Sequence, residues 1–110
     1  MKKPLLIELA YTSILEVFQT QKLIDTVQLQ KAYPLLNESI VMTLKIFLDG
    51  ELRGYYEDIA RKPLLQNIIL GAKKAAFEDK NFTPLTLSEY FDIEIEISLQ
   101  TPEGVISHRA

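Results

Sequence analysis

Residues 40–54 read IVMTLKIFLDGELRG, and the change of character inside this run decides the fold. From Ile40 to Leu48 the β-branched and aromatic content favours an extended strand, and Asp49-Gly50 is a reversal signal that turns the chain back alongside it. An antiparallel hairpin is expected. A two-residue Asp49-Gly50 loop pairs Leu48 with Glu51 and sets Ile46 opposite Arg53. A three-residue Leu48-Asp49-Gly50 loop pairs Ile46 with Leu52 and Leu44 with Gly54, with Gly50 in a left-handed bulge position. The second register is preferred, because it gathers Met42, Leu44, Ile46, Leu52 and Tyr56 on one face. It leaves Thr43, Lys45, Phe47, Glu51, Arg53 and Tyr55 on the other, with Lys45 opposite Arg53. Two like charges so placed are tolerated through solvation, or become useful when an anion lies between them.

Outward from the hairpin, the C-terminal side reads clearly. Pro63 suits the first turn of a helix in which Leu64, Leu65, Ile68, Ile69, Ala72, Ala75 and Ala76 sustain an apolar stripe, and Gly71 with Ala72 and Ala75 admits a close neighbour. Thr86-Leu87-Ser88-Glu89 matches a capping box and predicts a short helical turn. From Asp92 to Gln100 apolar and polar residues alternate, placing Ile93, Ile95, Ile97 and Leu99 on one face of a strand. Pro102-Glu103-Gly104 reverses the chain into a short last strand with Val105 and Ile106. On the N-terminal side, Pro4 precedes a helix expected over roughly 5–20, with Leu6, Leu9, Ala10, Ile14, Val17 and Phe18 as its apolar stripe. Residues 21–39, broken by Pro34, are expected as a short helical turn and a loop. The fold class is α+β: one compact domain with a mainly antiparallel sheet and flanking helices.

Composition narrows the function. With 110 residues, 47% hydrophobic and 25% charged, the chain has room for one modest core. The net charge of −3 argues against broad attraction to nucleic acid or an acidic membrane. The absence of cysteine removes thiolate chemistry and cysteine zinc sites. His108, the one histidine, lacks companions for a metal site, and Glu94 and Glu96 on one strand face are read as solvated. No phosphate-binding glycine loop occurs, and no motif asks for a cofactor. The Met-Lys-Lys-Pro start is interrupted by Glu8, no apolar run has the length of a membrane span, and a cytoplasmic location is expected.

The runs IVMTLKIFLDGELRG and PLLQNIILGAKKAAFEDKNFTPLTLSEYFDIEIEISLQTPEGVI, in this order, resemble the AMMECR-type domain family, named for the Alport syndrome, midface hypoplasia and elliptocytosis chromosomal region. The resemblance extends more weakly into the N-terminal helix. It implies an α+β domain with a small cleft beside the arginine segment, and it carries over to Leu52, Arg53 and Gly54 and to Ala75, Ala76, Phe77, Asp79, Phe82, Pro84, Leu85 and Thr86. Family members usually continue the Arg-Gly pair with Cys-Ile-Gly, where this chain has Tyr55, Tyr56 and Glu57. A phenol, with an ordinary pKa near 10, does not inherit a role resting on that cysteine. Typical members also continue beyond the strand corresponding to 93–99, so a reduced domain or a fragment lacking the C-terminal portion is expected. The family's association with Memo-like and radical-SAM-like components implies partner proteins in a modification pathway.

Three functions follow for testing. The first is a binding or adaptor domain recognising an anionic ligand or a partner through Arg53, Gly54, Lys45, Tyr55, Tyr56 and Asp79, where arginine has the donor geometry for a carboxylate or phosphate. The second is an enzyme using Asp79 or Glu57 with Tyr55, although Asp79 reads first as a helix-end hydrogen-bonding residue and the catalytic residues are unknown. The third and weakest is nucleic-acid binding through Lys45, Arg53, Lys73 and Lys74. A homo-oligomer completed through the first helix, the Gly71–Ala75 face or an open edge of the 92–100 strand is a further expectation.

Overall fold

In the computed structural model, which describes residues 3–58 and 61–110, helix α1 spans Leu5–Gln19 and ends where Thr20 enters the left-handed region at φ 51°. Its buried side chains include Leu6, Ile7, Leu9, Ala10 and Ile14. Val17, expected in the stripe, is 43% exposed, and Ile7 takes a core place instead. Ser13 and Glu16 are buried yet satisfied. The Ser13 hydroxyl donates to the Leu9 carbonyl at 2.7 Å, and the Glu16 carboxylate accepts from the Leu23 and Ile24 amides and from Lys73 Nζ. Burial pushes the Glu16 carboxyl up, but the bonds from Lys73 and the two amides prevail and hold it below its ordinary value.

Helix α2 (Thr26–Ala32) and a 3₁₀ turn (Pro34–Asn37) occupy the irregular stretch. Strands β1 (Met42–Leu48) and β2 (Glu51–Asp58) form the hairpin, followed by α3 (Leu64–Phe77), the short α4 (Leu87–Tyr90), β3 (Ile93–Thr101) and β4 (Gly104–Arg109). The four strands form one antiparallel sheet in the order β2-β1-β3-β4. Leu44, Ile46, Ile95 and Ile97 are fully buried on its inner face, against α1 and α3. The strand expected to offer an open edge, β3, is central, and β4 is the edge.

The hairpin register is neither of those weighed. Asp49 and Gly50 both have positive φ, 53° and 80°, which is the two-residue turn an Asp-Gly pair favours, and Leu48 pairs with Glu51. A bulge follows: Phe47 pairs with Leu52, Ile46 with Gly54, and Arg53 is the extra residue. Lys45 therefore faces Tyr55 on one side and Glu96 on the other, and its expected apposition to Arg53 does not occur. Leu52 is 42% exposed rather than in the core.

Packing of α3 explains why the bulge is needed. A Cβ on Gly54 would collide with the Ala75 carbonyl, and one on Gly71 would lie 2.5 Å from the Tyr56 ring. The helix thus sits on the strand through glycine at both contact points. Without the bulge, Arg53 would stand opposite Ile46, under the helix. The Gly71–Ala75 face is consumed inside the fold, and is not free for a partner.

Candidate functional site

The bulge turns Arg53 toward the segment that links α3 to α4. Its guanidinium grips the Glu89 carboxylate with two parallel bonds, Nε to Oε2 at 3.1 Å and Nη2 to Oε1 at 3.0 Å. Nη1 donates to the Thr83 carbonyl at 2.8 Å. The Arg53 side chain is only 12% exposed and that of Glu89 26%. Such a fork-to-fork pair is the strong form of a charge-assisted bond.

Glu89 is also the third residue of the α4 capping box. Thr86 Oγ1 accepts from the Glu89 amide at 3.2 Å, and Glu89 Oε1 accepts from the Thr86 amide at 3.0 Å. Foremost the Arg53 bond, then the Thr86 amide, bring the Glu89 carboxyl down to about 2. One carboxylate therefore ties β2 to α4.

The other sequence candidates lie around this joint in structural roles. Asp79, just past the end of α3, accepts from the Tyr55 amide and the Asn81 amide, each at 3.0 Å. This is the loop-bonding role read for it, and the Tyr55 bond caps an outward amide of the edge strand. The Tyr55 hydroxyl donates to Glu57 at 2.8 Å, and that bond, with burial and the Glu57 charge, raises the phenol above its ordinary pKa. Such a shift opposes use of Tyr55 as a nucleophile. Tyr56 lies against α3, its hydroxyl 3.5 Å from Asn67 Oδ1, with its pKa raised first by burial. Gly54 is the close-approach point, and Lys45 is half-buried on the outer face.

The structure brings Arg53, Gly54, Tyr55 and Asp79 into one joint; Lys45 belongs to the outer sheet face. His108 lies on β4 opposite Ile97, and Arg109 is 3.4 Å from Glu94 and 4.0 Å from Glu96. Among the described residues no group of three or more His, Asp and Glu is placed to hold a metal ion. No described helix is long and apolar enough to cross a membrane.

Sequence reasoning missed the aromatic feature that the joint supports. Beyond Glu89, Tyr90 and Phe91 form one wall of an open cleft of about 440 Å³, facing Tyr11 and Thr12 of α1, with Lys3 and Glu8 at its rim. Phe91 is 74% exposed. Behind it Tyr90 makes edge-on contacts with Phe91 at 5.5 Å, Tyr11 at 5.9 Å and Phe18 at 5.9 Å, and Phe18 meets Phe77 at 5.3 Å. The Tyr11 hydroxyl lies 2.7 Å from the Ile93 carbonyl and 2.9 Å from that of Ala110, and burial, with Tyr90 and Glu94, pushes its pKa up to about 12. The adjacent Tyr90-Phe91 pair directly after a capping box was the available signal. Only the fold sets α1 opposite it.

The AMMECR1 family model matches residues 7–109. The crystal structure of the uncharacterised protein PH0010 from Pyrococcus horikoshii is similar, with a TM-score of 0.76 and 27% identity over 88% of this chain. The matched region is 50% of that solved chain, so the present chain corresponds to about half of it. A search of curated proteins gives no significant match.

Proposed function

The chain belongs to the AMMECR1 family, and on that premise we propose that it is a noncatalytic binding domain that takes a polypeptide segment in the Tyr11–Tyr90–Phe91 cleft. The observation that carries this reading is Phe91, a large aromatic side chain 74% exposed beside the half-buried rings of Tyr11 and Tyr90. Aromatic side chains held rigid by their neighbours lose little entropy on binding, and they dominate recognition surfaces when ringed by polar groups. Lys3, Glu8 and Thr12 supply that rim. The cleft is open rather than enclosed and sets polar groups of Lys3, Glu8 and Thr12 beside its rings, which suits a peptide with an apolar anchor and polar flanks better than a buried small metabolite.

In this reading Arg53 acts at one remove. Its guanidinium holds Glu89, Glu89 holds the α4 turn, and the turn presents Tyr90 and Phe91. A free anion at Arg53 has to displace a bidentate carboxylate already in place, so direct anion recognition there is disfavoured. Partner recognition at the cleft that the Arg53–Glu89 joint braces, in a cytoplasmic setting, is the function proposed.

A displayed library of random peptides, selected on the wild-type domain and on Phe91→Ala, tests this. The expected result is enrichment of peptides with an apolar anchor on the wild type and at least a tenfold loss of their binding to Phe91→Ala, with an unchanged circular dichroism spectrum. No enrichment, or equal binding to both proteins, overturns the reading.

A further inference from the structure

A second cleft, of about 330 Å³, lies on the other flank of α1 from Tyr11, beneath α2. Leu5 and Leu9 of α1 line it with Leu23 and Leu29, and Glu8 and Asp25 supply its charges. It exists because α2 is fastened by its flanks rather than by its own side chains. Before the helix, Glu16 accepts from the Leu23 amide at 2.7 Å and the Ile24 amide at 3.0 Å, and Ile24 is buried. After it, Leu36 is buried, and the Glu38 carbonyl accepts from the Leu64 amide at 2.8 Å. Between these anchors α2 buries none of its residues, and Leu29 packs against the core with only partial burial. A helix this short is held by tertiary contacts, here at its ends, and its middle stands clear of α1.

The two clefts share Glu8 and Thr12. These residues are one helical turn apart and form a single ridge, with Tyr11 on one flank and Leu5 and Leu9 on the other. The charge along the second cleft has one sign. None of the residues lining it is a lysine or arginine, and among the described residues neither Glu8 nor Asp25 takes part in an ion pair. Asp25 uses one oxygen to cap α2, accepting from the Gln28 amide at 3.0 Å. Lys3 belongs to the Phe91 side, where it lies over the Tyr11 ring at 4.7 Å.

Resting on the reading that a peptide occupies the Phe91 cleft, we infer that the same peptide crosses the Glu8–Thr12 ridge and sets a second, aliphatic anchor beneath α2. A lysine or arginine between the two anchors faces Glu8 and Asp25. The ridge is one helix wide, about 10 Å with side chains, and an extended chain advances about 3.3 Å per residue, so the anchors stand about three or four residues apart. A cation at the crossing is attracted by both carboxylates, and an acidic residue there is repelled. The partner is therefore a basic segment with two apolar anchors.

Peptides selected on the wild type are expected to carry a basic residue between apolar positions of that spacing. For one such peptide, the double variant Glu8→Gln with Asp25→Asn is expected to lower affinity at least fivefold. Both positions are exposed and asparagine retains the α2 cap, so an unchanged circular dichroism spectrum is expected. Replacing the basic residue of the peptide by glutamine is expected to weaken binding to the wild type by the same factor and to leave binding to the double variant unchanged, the coupling that direct contact requires. Leu23→Ala keeps the amide that Glu16 holds, and is expected to lower affinity at least threefold for the two-anchor peptide but not for its version with alanine at the second anchor. Peptides that depend on Phe91 yet bind the double variant and Leu23→Ala as tightly as the wild type overturn this inference and leave the Phe91 reading standing. So does enrichment of single-anchor peptides with no fixed basic position. Peptides that bind Phe91→Ala as tightly as the wild type overturn the Phe91 reading, and the two-anchor peptide with it.

Discussion

At β2 the border of the sheet is closed over by its own chain, whereas among the described residues the outward groups of β4 have no such cover. On the β2 side the Asp79 carboxylate caps the Tyr55 amide, the bulge interrupts the ladder, and Arg53 binds the edge to α4 through Glu89. On the β4 side the outward groups of Val105, Ser107 and Arg109 face solvent, and the exposed apolar side chains alternate across both faces. The difference separates the two uses of polar chemistry here. The residues that look most like a ligand site, Arg53 and Asp79, close one edge and brace the turn that carries Tyr90 and Phe91, whereas among the described residues no side chain caps the outward amides of the other edge.

The contrast can be broken most sharply at Gly54. Gly54→Ala sets a Cβ into the Ala75 carbonyl, which as backbone cannot turn aside, and is expected to lower stability by about 3 kcal/mol in urea denaturation. A loss below ~0.5 kcal/mol would show that β2 does not need this close approach.

Next in size is the Arg53–Glu89 pair. Arg53→Ala is expected to cost about 2 kcal/mol, since it strips a mostly buried carboxylate of its bidentate partner but leaves the Thr86 amide bond. The pH dependence has a definite sign. The folded Glu89 carboxyl lies at about 2 against an ordinary 4.5, so the unfolded chain binds more protons between these values. The stabilisation is present above about 4.5 and is lost as pH falls toward 2. Glu89→Gln is expected to flatten that acid limb in thermal melts recorded from pH 6 to pH 2. An acid limb as steep in Glu89→Gln as in the wild type would assign it to other carboxylates.

A smaller effect is expected at Gly71. The Tyr56 ring 2.5 Å from the added Cβ belongs to a side chain and can give way, while alanine favours the helix over glycine. Gly71→Ala should cost about 1 kcal/mol, and a stabilised variant would mean that the ring moves freely. Least of all is expected from Phe91→Ala, within about 0.5 kcal/mol of the wild type, because its exposed position contributes little to folding. A larger loss would make the Phe91 surface part of the core rather than a place for a partner.

Much of the architecture was legible because its determinants are local. The alternation of 93–99 specifies a strand with one buried face, Thr86 and Glu89 specify a capped turn, and Asp49-Gly50 specifies a tight reversal whatever surrounds it. The bulge was not legible. Whether Leu52 or Gly54 stands opposite Ile46 depends on how near α3 comes, and residues on both elements, Gly54 and Ala75 among them, set that distance. The roles of the candidate site residues were hidden for the same reason. Arg53 and Glu89 are 36 positions apart, and nothing in the neighbourhood of either announces the other.

Periodicity, capping and turn chemistry act over a few residues, and so the sequence by itself determined the α+β class, the starts of the two long helices, the hairpin and the alternating strand. The tertiary structure alone decided the hairpin register, the central place of β3, the engagement of Arg53 by Glu89 and the assembly of the Tyr11–Phe91 cleft. Each of these depends on the closest distance at which separate elements can pack, a quantity that no single stretch of the chain contains.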